Sequence, residues 1–235
     1  MNIIVTGASK GIGYDTVLEF SKNKENKIIA ISRNINKLND LKKVCYEKYN
    51  NEIKIIQYDI TTSHIENQNL LDILENIEFV DIFINNAGIL INKKFIDLTQ
   101  EDWITTFDIN FLAPVNLIRL LYPKLKNSKS AHIINISSMG GIERTQKFSG
   151  LSSYSSSKAA LVNLTECLAE EFMDDNIHCN CLSLGSVDTE MFRAAFPSYH
   201  ASVSSEEIAQ FICNFSQNYR NLFNGKIIPI AISTP

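Results

Sequence analysis

Tyr154 and Lys158 stand four residues apart in the run Tyr154-Ser155-Ser156-Ser157-Lys158. On a helix that spacing puts both side chains on one face. A phenol ordinarily titrates near ~10, and a nearby ammonium favours its phenolate form. The pair can therefore exchange a proton with a substrate close to neutral pH. Taken alone the spacing is common in helices and carries little. A serine strengthens it. The segment Ile133-Ile134-Asn135-Ile136-Ser137-Ser138 reads as a strand that delivers a hydroxyl at its carboxyl end, the edge where open α/β sheets bind ligands.

A second group is Thr6-Gly7-Ala8-Ser9-Lys10-Gly11-Ile12-Gly13. Glycines at 7, 11 and 13 allow a tight turn and close approach of backbone to a ligand. The helix that follows would present free N–H groups to a pyrophosphate. The spacing is G-x-x-x-G-x-G, and a purely structural turn is the plain alternative. The strand before it and the helix after it favour the binding reading. At the end of the second strand, where an NAD site places an acidic residue, this chain has Ser32-Arg33-Asn34. The planar fork of Arg33 suits a 2′-phosphate, Ser32 could donate to it, and Lys10 would add a second charge. These residues point to NADP(H). The bland alternative is that Arg33 and Lys10 are solvated surface charges. Asp59 could accept from the adenine amino group or simply cap a helix.

Positioning these groups takes alternating strands and helices. Strands are expected at 2–5, 27–32, 53–58, 80–85, 131–136, 177–182 and 226–232, from short β-branched runs. Helices are expected at 11–22, 36–49, 65–77, from a Thr99 N-cap to Leu121, at 154–173 and at 204–215. Pro114 predicts a kink or break in the fourth. This alternation implies an α/β fold: a Rossmann-like, doubly wound parallel sheet of about seven strands with helices on both faces.

The composition agrees. The chain has 235 residues, 45% hydrophobic and 20% charged, with a net charge of −4. One domain, 1–235, is expected. The charge does not favour nucleic acid. No apolar run approaches the ~18 residues of a membrane span, and the N-terminus shows no secretory pattern. A cytoplasmic protein is expected, with its five cysteines reduced. Cys179 and Cys181 are read as buried thiols on one face of a strand.

The motifs TGASKGIG at 6–13, NNAG at 85–88, Asn110, NISS at 135–138 and YSSSK at 154–158 occur together and in this order. In this the chain clearly resembles the short-chain dehydrogenase/reductase family, over about residues 3–189, with Ser32-Arg33 similar to its NADP(H)-preferring branch. The resemblance implies a proton donor at Tyr154 and, in Lys158, a residue that binds the nicotinamide ribose and lowers the tyrosine pKa. It implies that Ser138, rather than Ser137, bonds the carbonyl oxygen, and that Asn110 holds a water in a proton relay. Asn86, Ala87 and Gly88 would wall the adenine ribose. Ser9, Ile12, Ile60 and Gly185 would also meet the cofactor. Val187 and Thr189 fit the family's PGxVxT segment, whereas Leu184 replaces its proline and is expected to loosen that loop.

The implied activity is NADPH-dependent reduction of a carbonyl, with Met139, Ile142, Phe148, Leu151, Met191, Phe192 and Phe196 supplying an apolar pocket or closing the core. Two alternatives are a 3-oxoacyl-[acyl-carrier-protein] reductase, for which Arg144, Lys147 and Arg193 would form a docking patch, and an NAD-dependent alcohol dehydrogenase, against which Arg33 argues. A third, of another class, is a non-catalytic NADP(H)-binding module. The expected partners are a small carbonyl or alcohol substrate and a second or further copies of the chain. A homodimer or homotetramer would use helices carrying Phe107, Phe111, Leu161 and Leu164, unless those residues face the sheet.

Overall fold

The computed structural model describes residues 1–62 and 68–232. Seven parallel strands form one sheet in the order β3-β2-β1-β4-β5-β6-β9: β3 is Lys54–Gln57, β2 Lys27–Ser32, β1 Asn2–Thr6, β4 Ile82–Asn85, β5 His132–Ser138, β6 His178–Leu184 and β9 Ile227–Ile230. The strand order reverses between β1 and β4, so a crevice opens there at the carboxyl ends. Both faces are covered, which is why the strands are near-continuous Ile and Val. Their alternation splits the core in two. Ile3 and Val5 pack on one side with Val17 and Phe20 of helix α1 (Gly11–Ser21), Leu38 and Leu41 of α2 (Ile35–Tyr49) and Ile212 of α8 (Ser205–Asn218). Ile4 and Phe83 pack on the other with Leu70 of α3 (Gln68–Glu75), Leu117 and Leu121 of α5 (Ala113–Lys126) and Leu168 of α6 (Ser152–Glu171). Cys179 and Cys181 are both buried.

Several expectations are corrected in detail. The third helix is seen as Gln68–Glu75, and residues 65–67 of the expected span lie outside the described residues. The fourth is a continuous helical stretch, Gln100–Lys126, apolar and long enough on those grounds alone to cross a membrane. This overturns the reading that no such run exists. It nonetheless buries Ile109, Ala113, Leu117, Ile118 and Leu121 against the sheet, as a core helix does. Thr99 caps α4 (Gln100–Phe107) in a reciprocal capping box with Asp102. The break expected at Pro114 falls just before it, as a π-turn over Asp108–Leu112. Leu161 is buried and Leu164 packs on the core, so neither forms an outward face. A short helix α7 (Glu190–Ala195) and a small parallel pair, β7 (Val187–Asp188) with β8 (Val203–Ser204), were not expected.

Candidate active site

The loop after β1 is built by close backbone contact. Gly7 and Gly11 have φ of +68° and +54°, a region that favours glycine. A Cβ on Gly13 would stand 2.4 Å from the carbonyl oxygen of Gly7. Gly13 therefore shapes the turn from beneath and does not line the cleft. Lys10 precedes α1 in extended conformation with no side-chain cap, which leaves the first N–H groups of the helix to an anion. The turn after β4 is fastened to the same place. Thr6 Oγ1 accepts from the N–H of Asn86 and of Ala87, each at 3.0 Å, and Asn86 Nδ2 donates to Thr6 O at 2.9 Å.

At the end of β2, Ser32 Oγ donates to Ser9 Oγ at 2.8 Å, so the two loops meet. Arg33 is exposed and approaches Asp59 at 3.9 Å. Asp59 accepts from Thr61 N at 3.1 Å and Thr61 Oγ1 at 2.9 Å, the capping role among its two expected ones.

The proton-transfer group forms where β5 meets α6. Lys158 is buried, and its Nζ donates to Ile136 O at 2.8 Å. Burial lowers its pKa to about 8. Its ammonium lies 6.0 Å from the Tyr154 ring centroid. Burial raises the Tyr154 phenol, and a hydrogen bond with Ser138 pulls it back. Ser138 Oγ accepts from Gly140 N at 3.2 Å.

Asn110, in the π-turn, is fully buried. Its Oδ1 accepts from Ile89 N at 2.9 Å, and its Nδ2 donates to Ile89 O and to Ser157 Oγ, both at 3.0 Å. Ser157 Oγ in turn donates to Tyr154 O at 2.7 Å. Both side-chain N–H groups are thus committed to bracing α6 and the turn after β4. Pro114 also removes the N–H that an α-helix would bring to the main-chain carbonyl of Asn110.

One cleft collects these groups. Every expected catalytic and cofactor residue lines it except Gly13 and Asn110, which lie behind its wall: Gly7, Ser9, Lys10, Gly11, Ile12, Ser32, Arg33, Asp59, Ile60, Asn86, Ala87, Gly88, Ser138, Tyr154, Lys158, Gly185, Val187 and Thr189 are all present, whereas Ile142, Phe148 and Phe196 of the expected apolar pocket are not. Leu90, Leu184, Met191 and Phe192 add an apolar wall, and Glu190 adds a carboxylate. Leu90 and Glu190 were missed in the sequence, since only the folded chain brings them to the site. Leu184 does not loosen the segment. It extends β6, in register with Ser138 on one side and Ile230 on the other. Met139 and Leu151 close the core, whereas Met191 and Phe192 face the cleft.

The family model for short chain dehydrogenase matches residues 1–200. The chain is 32% identical over 197 residues to dehydrogenase/reductase SDR family member 6 of Xenopus laevis, covering 81% of this chain and 73% of that one. It is 27% identical over 209 residues to an uncharacterized oxidoreductase of Staphylococcus epidermidis, covering 89% and 87%. Among solved structures, ElxO with NADP bound superposes with a TM-score of 0.84 at 25% identity, over 97% of this chain and 96% of that one. L-sorbose reductase from Gluconobacter frateurii, complexed with NADPH and L-sorbose, shares the fold with a TM-score of 0.88 at 22% identity, over 99% and 95%. The chain belongs to the short chain dehydrogenase family and is an oxidoreductase of that family.

Proposed function

We propose that the chain, as one domain over 1–235, is an NADPH-dependent reductase of small to medium apolar ketones or aldehydes, with Tyr154 as the proton donor. The observation that carries this is the convergence of Ser138, Tyr154 and Lys158 on one end of a cleft whose other end holds the glycine loop and Arg33.

The cleft fits a dinucleotide phosphate. The glycine turn has no room for side chains beneath it, and the uncapped start of α1 offers N–H donors. Gly7, Gly11 and Ile12 would hold the pyrophosphate. Ser32, Arg33 and Lys10 would hold the 2′-phosphate, and Asn86 to Gly88 the adenine ribose. ElxO, seen with NADP, supports the same choice of cofactor. When bound, the nicotinamide exchanges a hydride with a carbon of the substrate. The Tyr154 hydroxyl gives its proton to the carbonyl oxygen as that oxygen gains charge, and Ser138 Oγ donates a hydrogen bond to it. Lys158, with a pKa near 8, is mostly cationic at neutral pH and offers its remaining N–H groups to the nicotinamide ribose. Asn110 holds α6 in place. A relay water would sit at its main-chain carbonyl, since its amide hydrogens are spent.

An apolar substrate is supported by the wall of Leu90, Leu184, Met191 and Phe192. Apart from Lys158, the charged lining groups, Lys10, Arg33, Asp59 and Glu190, stand at the phosphate end. A carrier-protein docking patch has little support. Arg193 pairs with Asp188 at 2.6 Å, and Lys147 donates to the carbonyls of Gly140 and Ile142 at 2.7 and 2.6 Å. The intact set Asn110, Ser138, Tyr154 and Lys158 supports an enzyme over a binding module.

The test is NADPH consumption by the purified protein over a panel of apolar ketones and aldehydes, with carboxylated analogues alongside. Turnover confined to neutral apolar carbonyls is expected. Turnover only with NADH, or only with the charged analogues, overturns the reading.

A further inference from the structure

Glu190 opens α7, and its neighbours Met191 and Phe192 face the catalytic end of the cleft. Its own carboxylate reaches the other way. Oε2 lies 3.0 Å from Lys10 Nζ in the glycine loop, and Oε1 lies 3.3 Å from Lys37 Nζ in the first turn of α2. Lys10 lines the cleft with Ser32 and Arg33, where a 2′-phosphate would sit, and Lys37 follows them closely in the chain, in the helix that starts just after β2. The start of α7 sits directly against the glycine loop, since a Cβ on Gly11 would come 3.3 Å from Thr189 Cγ2. One carboxylate bridging two ammoniums imitates what a phosphate does there. A phosphate brings nearly two charges and three acceptor oxygens, so it is the stronger partner. The lysines, first Lys10 and then Lys37, hold Glu190 below the usual carboxylate range, so it stays anionic at neutral pH. All three side chains are about half exposed, which makes each ion pair weak and easily exchanged.

We propose that Glu190 is a tethered anion that occupies the Lys10 and Lys37 pair until the cofactor's 2′-phosphate displaces it. It thereby tempers the preference of the cleft for NADP(H) over NAD(H). The proposal rests on the NADP(H) reading above and makes Glu190 a specificity-determining residue. Removing its charge frees both lysines for the phosphate. A mere prop for the lysines would act oppositely, and its loss would weaken phosphate binding.

The experiment is calorimetric titration of the full chain, wild type against Glu190→Gln, with NADPH, NADH and 2′,5′-ADP at one salt concentration. The expected result is tighter binding of NADPH and 2′,5′-ADP by about fivefold, the scale of two exposed ion pairs. NADH should stay within about twofold, because it lacks the competing phosphate. Unchanged or weaker NADPH binding in a wild type that prefers NADPH overturns the exchange alone. Equal tightening of NADH also overturns it, as a general charge effect. A wild type that binds NADH as well as NADPH and ignores 2′,5′-ADP overturns the NADP(H) reading and the exchange together.

Discussion

At the phosphate end of the cleft, Gly7, Gly13 and Asn86 are locked by contacts at backbone distance, with Gly13 leaving no space for even a methyl group. At the catalytic end, Met191 and Phe192 stand on a short helix held by side chains. Thr189 caps it, Asn92 Nδ2 donates to Ala195 O at 2.8 Å, and Phe192 packs on Phe196 with ring centroids 5.3 Å apart. Backbone locks fix a shape that any dinucleotide demands. Side-chain ties leave the substrate wall free to change without disturbing the sheet. Within one cleft, then, substitutions at the two ends should fail in different ways.

The largest contrast is expected at the phosphate end. Gly13→Ala should push the glycine turn aside, costing about 1–3 kcal/mol of stability in urea unfolding. The displaced N–H donors should weaken NADPH binding by roughly a hundredfold, read by fluorescence titration. Normal NADPH affinity in this variant would break the contrast. At the catalytic end, Phe192→Ala should raise KM for an apolar carbonyl by about tenfold, the worth of a partly buried aromatic wall. NADPH affinity should remain within about twofold. A comparable loss of NADPH binding would show that α7 serves both ends alike. The smallest effect is the tightening expected of Glu190→Gln, which probes the ion pairs between the start of α7 and the phosphate end.

The same division decides what could be read in the sequence. The glycine turn, the serine at the end of β5 and the Tyr154–Lys158 face depend on local spacing and strand order, and the folded chain gathers them as expected. Glu190 could not be found that way. Its meaning lies in proximity to Lys10 and Lys37, which arises only when α7 folds back on the glycine loop. Asn110 was legible by its place among the motifs, but its amide is spent on Ile89 and Ser157, so bracing is what its side chain does. Lys158 was read as acting on the Tyr154 phenol, and burial, invisible in the sequence, is the largest influence on both groups. Leu184 looked like a weakened loop because sequence alone did not show that β6 continues through it. The helix expected from the Thr99 cap to Leu121, with a kink or break at Pro114, runs on to Lys126 as a 27-residue helical stretch. A π-turn absorbs the missing N–H and lets the helix continue.

If Tyr154 supplies the proton, the site should still bind its cofactor without the phenol hydroxyl. Tyr154→Phe removes one oxygen and keeps the ring. Turnover of the best carbonyl found and NADPH affinity should be measured on the same preparation. Turnover should fall by about 10²–10⁴-fold with NADPH affinity unchanged. Turnover within a few-fold of wild type, with the cofactor bound normally, would contradict this role.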